Sequence, residues 1–331
     1  MDKKFIILLF VFLTVGFAVG RSLNVNITRC TNRGNFKYIN GLLSCSKVNA
    51  VNKAGYVVFS NNLQHYIEDE VEKKRIGRMS VFFRDLNEGP TVSINGEERF
   101  IPASLLKVPV AIAYYAADEE LKDGGNNGSI FDKHLAFNGE LDTYKNISQI
   151  YKPKETLLPN ISYSVHDLIF RMLAYSDNGS YEGLLGYLKK LFPGKDYLLG
   201  VFNDLGIIDP KNGLEETLSA KSLASNFRLL YDASYLSKEH SEEMLNMLAR
   251  SEFKKGINAG VPEDVEVAHK FGERQLGARG DWEFHDCGIV YYPGNPYSIC
   301  IMASGHDPDL ILKAISNVSR MFYEEFDSRK I

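Results

Sequence analysis

The chain has 331 residues, of which 44% are hydrophobic, 24% charged and 12% aromatic, and its formal net charge is −4. That composition belongs to a globular chain and excludes collagen-like, mucin-like, coiled-coil and wholly disordered architectures. The slight acidity gives no global basic footprint for nucleic acid, and the length is ample for a hydrophobic core.

The first element is an apolar leader. Lys3 and Lys4 precede Phe5 to Gly20, a run of 16 residues without charge. A membrane-spanning helix wants roughly 20 such residues, so the run is short for one. Ala18-Val19-Gly20 supplies the small residues of a signal-peptidase site. Residues 1–20 therefore read as a signal peptide, or else a retained N-terminal anchor, and the rest of the chain as exported. Residues 21–60 read as an irregular extension and residues 61–331 as the main domain. An exported protein can oxidise its cysteines, and Cys30 and Cys45 are close enough in sequence to bridge. Cys287 and Cys300 flank the turn Pro293-Gly294-Asn295-Pro296. Pairing symmetric about that turn sets Cys300 against Ile289 and predicts two buried thiols.

In the main domain, Leu63, Tyr66, Ile67 and Val71 form one helical stripe over 61–74. Strands follow at 78–86 and 91–95, then a helix at about 103–118. The middle reads as helices near 164–174, 178–191, 195–205, 219–234 and 239–250. After Gly260 the pattern turns to strands at 265–270, 283–292 and 297–304, and a last helix covers 307–328. Strands at both ends with helices between predict an α+β fold. Its antiparallel sheet is built from N- and C-terminal strands and flanked by helices. The helical middle makes a second lobe, with a cleft between the two.

The chemistry centres on Ser104-Leu105-Leu106-Lys107. On a helix, i and i+3 share a face, so the amine can reach the hydroxyl. Serine is a weak nucleophile until a base takes its proton, and a buried lysine beside other cations can be that base. Ser44 to Lys47 and Ser251 to Lys254 match the spacing too, so spacing alone is weak. Context favours Ser104, which follows Pro102 at the mouth of an almost wholly apolar helix. An N-cap serine with a snorkelling lysine is the competing reading. Two further elements sit at element boundaries: Ser176-Asp177-Asn178, and Lys270-Phe271-Gly272 at the end of the 265–270 strand.

With these three motifs in this order, residues 61–328 resemble the class A β-lactamase superfamily of serine hydrolases, which includes the penicillin-binding proteins. The resemblance implies that Ser104 forms an acyl-enzyme and Lys107 assists as base. It implies that Ser176 relays a proton to the leaving nitrogen and that Asn178 orients Lys107 and the substrate. Lys270 would hold positive potential beside Ser176. Gly272 and Glu273 would line the substrate, with the backbone N–H groups of Ser104 and Glu273 as oxyanion donors. Arg274 and Arg279 are the two candidates for a substrate carboxylate, against the plainer reading of exposed strand charges. The implied substrates are a β-lactam or a peptidoglycan stem peptide. No cofactor or metal is implied, and the seven histidines show no metal spacing.

Two departures qualify the resemblance. Phe271 stands where the third motif usually carries a hydroxyl. The connection 207–216 is short, and its only glutamates are Glu215 and Glu216. Either is a candidate for the water-activating base of deacylation, although both also sit where a helix dipole favours acids. A D,D-peptidase and a non-catalytic cell-wall binder are the alternatives. His285 and Cys287 share a strand face and suggest a Cys–His pair, against the commoner buried core cysteine.

Overall fold

The computed structural model describes residues 36–40, 56–87, 91–125, 128–138, 149–209, 213–214, 217–277 and 280–328. The leader, Cys30, Cys45, Glu215, Glu216 and Arg279 lie outside the described residues.

A five-stranded antiparallel sheet organises the fold. Its strands are β1 (Arg78–Asp85), β2 (Thr91–Ile94), β9 (Val267–Leu276), β10 (Asp281–Val290) and β11 (Tyr297–Gly305), in the spatial order β2-β1-β11-β10-β9. Side chains alternate between the faces. Ile299, Ile301 and Ala303 of β11 join one core with Val81 and Phe83, while Cys300 and Met302 join the other. Every residue of β11 is buried, as a central strand covered on both faces should be.

One face is covered by α1 (Tyr56–Glu72) and α8 (Pro308–Ser328). Their apolar stripes, Phe59, Leu63 and Ile67 on α1 and Ile311, Ile315, Val318 and Phe322 on α8, meet in one cluster. At roughly 1.5–3 kcal/mol for each fully buried large side chain, this packing outweighs any local helix preference. It also explains why α1 starts at Tyr56, earlier than the sequence pattern indicates: the Tyr56 ring packs on Phe83 and Phe326.

The other face carries the helical half: α2 (Lys107–Asp123), α3 (Val165–Ala174), α4 (Asn178–Leu191), α5 (Tyr197–Asp204), α6 (Ala220–Tyr231) and α7 (Lys238–Ala249). The α+β expectation holds, with eight α-helices among the described residues. Short pairings were missed from sequence: β3 (Arg99–Phe100) with β8 (Leu218–Ser219), β4 (His134–Phe137) with β5 (Ile161–Ser164), and β6 (Ile208–Asp209) with β7 (Gly213–Leu214). Residues 36–40 pack on this half. The Glu242 carboxylate accepts the N–H groups of Lys37, Tyr38 at 2.6 Å and Ile39 at 2.9 Å.

Two strand expectations need correction. β9 continues past Lys270 to Leu276, because β10 pairs with it throughout, from Val290↔Val267 to Asp281↔Leu276. Its polar end, Glu273-Arg274-Gln275, is held by that ladder. In the β10–β11 hairpin, Val290 pairs with Tyr297 around a six-residue loop, so Cys287 falls directly opposite Cys300. They form a disulfide, which removes both the two buried thiols and the Cys–His pair.

Candidate active site

The site is built where the turn before α2 meets β9, at the free edge of the sheet. Ala103 to Leu106 form a single 3₁₀ turn that runs into α2 at Lys107. Pro109 is tolerated because the first helical turn has no intrahelical acceptors for its N–H groups. Ala103 has a φ of 48°, a left-handed conformation that an alanine adopts only at a cost of order 1–3 kcal/mol. The surroundings hold it there. Glu283 Oε2 accepts the Ile101 N–H at 3.1 Å, and His285 Nε2 lies 2.9 Å from the Ile101 carbonyl oxygen. Burial pushes His285 down to about 4, so it is neutral near pH 7 and its Nε2–H donates to that carbonyl. Two buried side chains of β10 thus grip both polar groups of one residue, three positions before Ser104.

Arg78 completes the grip. It bonds Glu283 at 2.9 Å, Glu98 at 3.0 Å and the Arg99 carbonyl at 3.0 Å, and its guanidinium lies 3.9 Å from the Phe100 ring centre. Gly272 brings β9 against the turn. A Cβ there would stand 2.9 Å from the Pro102 carbonyl oxygen and 3.3 Å from the Ser104 nitrogen. A side chain would force the nucleophile turn and the strand apart.

Two lysines converge on Ser176. Lys107 Nζ donates to the Ser176 carbonyl at 2.5 Å and to Asn178 Oδ1 at 2.6 Å, and lies 3.3 Å from Ser176 Oγ. Lys270 Nζ donates to Ser176 Oγ at 2.8 Å and to the Phe271 carbonyl at 2.8 Å. Ser176 itself has a φ of 57°, a second strained residue at the site. Asp177 caps α4 by accepting the Ser180 N–H at 2.6 Å, which fixes the turn carrying Ser176 and Asn178.

Both amines are almost wholly buried, and that sets their chemistry. Burial pushes Lys107 down to about 7, partly offset by the charges of Asp177 and Glu273. Lys270 is driven well below the usual lysine range, first by burial and then by the charge of Lys107. An amine that readily gives up its proton near neutrality can accept one from a hydroxyl.

The structure brings Ser104, Lys107, Ser176, Asn178, Lys270, Gly272 and Glu273 together around the start of α2 and the edge of β9. Arg274 is exposed, and it stands opposite Glu283 in the ladder. The Glu273 side chain does something the sequence did not indicate: it accepts the N–H groups of Ile150 at 3.0 Å and Tyr151 at 2.9 Å. The Phe271 ring stacks on Phe253 at 4.1 Å, lies 6.2 Å from the Tyr151 ring, and is 4.3 Å from the Lys270 amine. Sequence reasoning also missed Glu283, and saw His285 only as a partner for Cys287. The available signal was Glu283-x-His285, two polar residues on one face of an otherwise apolar strand.

Two buried amines meeting on one serine, with a second serine opening the adjoining helix, mark the class as a serine hydrolase. The sequence model of the beta-lactamase enzyme family matches residues 62–326, and the chain belongs to that family. Among curated relatives it is 24% identical over 262 residues to Beta-lactamase 3 of Bacillus cereus, covering 75% of this chain and 76% of that one. It is 23% identical over 242 residues to a beta-lactamase of Bacillus licheniformis, covering 72% and 76%. Among solved structures it resembles PBP-A with a TM-score of 0.67 at 21% identity, covering 85% of this chain and 100% of that one. A class A beta-lactamase from Mycobacterium abscessus matches with a TM-score of 0.63 at 21% identity, covering 81% and 99%.

Proposed function

We propose that this protein is an exported hydrolase that forms an acyl-enzyme on Ser104 with β-lactams and then hydrolyses it. The observation that carries the reading is the neutral-leaning Lys107 amine, buried one helical turn from Ser104 and held by Asn178 and Ser176. In the acylation step Lys107 takes the Ser104 proton while Oγ bonds to the lactam carbonyl carbon. The C–N bond then breaks, and the departing nitrogen receives a proton from Ser176 Oγ, which is resupplied from the lysine pair. The N–H groups of Ser104 and Glu273 receive the developing oxyanion. Water then releases the acyl group, with Glu215 or Glu216 as the candidate base. The apolar leader fits the role, because β-lactams are met outside the cytoplasm.

A second reading is a D,D-peptidase acting on peptidoglycan stem peptides. It is favoured by Phe271, which offers an aromatic ring where the resemblance calls for a hydroxyl. A solved relative, a mutant of PBP-A, is described as an acyl-enzyme complex with penicillin G, so covalent capture of a β-lactam is compatible with either reading.

The test is to mix the purified protein with a chromogenic β-lactam and follow colour and protein mass together. Sustained colour release supports hydrolysis. A single burst with a lasting adduct supports the peptidase reading. No adduct, or one that persists in Ser104→Ala, overturns both.

A further inference from the structure

A cavity of about 510 Å³ opens between α4 and α5. It shares no residue with the site around Ser104. Asn178 starts α4 and Leu188 lies ten residues on, roughly 15 Å along the helix. The walls are apolar: Leu185 and Leu188 from α4, Phe192 from the connection, and Tyr197, Leu199 and Phe202 from α5. The Phe192 and Tyr197 rings stack at 4.0 Å and shape one side of it. Size and lining are those of a pocket for a small apolar molecule.

The charges on this cavity favour one sign of ligand. Lys189, in the last turn of α4, and Lys195, in the connection, both line it. The Lys195 amine lies 5.1 Å from the Tyr197 ring centre and 5.8 Å from that of Phe192. The one acid in the lining, Asp196, is spent on a helix cap: its Oδ1 accepts the Leu199 N–H at 3.0 Å. Glu120 of α2 stands 3.7 Å from Lys195 and also bonds the Tyr197 hydroxyl. Both partners of that ion pair are exposed, so it contributes little and leaves Lys195 open to an incoming anion. Leu199 is 42% exposed, and it alone among the large exposed apolar side chains of the described residues lines the cavity. Docking on a bilayer needs a broader apolar face than one leucine. A single chain entering from water does not.

We propose that the cavity between α4 and α5 binds a free single-chain anionic amphiphile of the fatty-acid class, its chain between the two helices and its carboxylate against Lys189 and Lys195. Burial of the chain drives binding, and the two lysines select the sign of the head group. The lysine stems cover apolar surface while their amines stay at the water boundary, where a carboxylate also belongs. The proposal is independent of the chemistry at Ser104.

The experiment titrates laurate, kept below its micelle concentration, into the full chain and follows binding by calorimetry. Saturable binding is expected, and dodecyltrimethylammonium, with the same chain length and the opposite charge, is expected to bind about tenfold more weakly or worse. Lys189→Gln combined with Lys195→Gln is expected to lower laurate affinity about tenfold, and Leu199→Glu, which sets an acid beside the chain, at least as much. All three positions are exposed, so the variants are expected to keep the denaturant midpoint of the unaltered protein. Laurate held elsewhere on the chain would give the same signal in every variant. No saturable laurate binding, equal affinity for the cationic amphiphile, or unchanged laurate affinity in either variant overturns the proposal. The comparison of the two amphiphiles needs no variant, so misfolding of a variant does not shield the idea. A soluble two-chain phosphatidylglycerol that displaces laurate at lower concentration would assign the cavity to membrane lipid and overturn the single-chain ligand.

Discussion

Lys270 Nζ and Ser176 Oγ are 2.8 Å apart, and the Lys107 amine stands 3.3 Å from the same oxygen. One hydroxyl therefore bridges two buried amines, so a proton leaving either can pass through it. Replacing Ser176 by alanine removes the bridge and leaves Lys270 with the Phe271 carbonyl as its remaining acceptor. Acylation of Ser104 by a β-lactam is expected to slow by about 10²–10⁴-fold, the usual worth of a positioned proton-transfer group. Single-turnover mass spectrometry reads this directly, and a loss under threefold would remove Ser176 from the relay.

The rate of acylation is expected to rise with pH through about 7, where Lys107 becomes neutral. Below that value each unit of acid should lower the rate about tenfold, since only the neutral amine can take the Ser104 proton. Stability follows the same sign. Lysine in the unfolded chain keeps its proton up to about 10.5, so between about 7 and 10.5 the unfolded state binds the extra proton. This group's contribution therefore favours the folded state increasingly as pH rises across that window. A pH–rate profile in Lys107→Met that keeps the inflection would assign it elsewhere.

Gly272→Ala should lower both the acylation rate and the stability. The added methyl meets the Pro102 carbonyl at 2.9 Å, and the turn or the strand must shift to admit it. Overpacking of this kind costs about 1–3 kcal/mol, but a shift approaching 1 Å at Ser104 costs on the order of 10²-fold in rate. Denaturant unfolding and acylation rate, measured on the same preparation, separate the two.

Glu283→Ala tests the grip on Ile101. It leaves the Ile101 N–H without its acceptor and takes one partner from Arg78. A loss of about 2–4 kcal/mol is expected from the uncompensated buried groups, together with slower acylation. Glu283→Gln, which can still accept the N–H, should recover most of the rate while remaining less stable. Equal damage from both variants would show that the hydrogen bond to Ile101 is not what positions the turn.

Cys287 and Cys300 should resist alkylation in denaturant until a reductant is added. Peptide mapping with a thiol reagent before and after reduction checks this. A modified Cys287 in the unreduced protein would restore the two free thiols.

The motifs were legible because each is local. Ser104 with Lys107 follows from helix geometry, Ser176 with Asn178 from the break just before a helix, and the order of the three motifs from the chain. The strands β1 and β11 were legible for the same reason, as local apolar runs close to the ranges the sequence indicates. What stayed hidden was set by pairings between distant segments. The Cys287 register depended on a loop four residues longer than the shortest hairpin turn, which no local pattern specifies. The length of β9 beyond Lys270 depended on its partner strand. Glu273 was legible as a substrate-lining residue through its backbone, but the work of its side chain was not, because its two amide partners lie more than 120 residues earlier.

The hold of β10 on Ile101 has a consequence for how the protein fails. An amide bonded to a buried carboxylate on a strand flanked on both sides can exchange its hydrogen only when that strand lets go. The strained turn therefore has no private way to open. Its hydrogen exchange should track that of the sheet, and on heating catalytic competence should persist until the sheet melts and then disappear in the same cooperative transition.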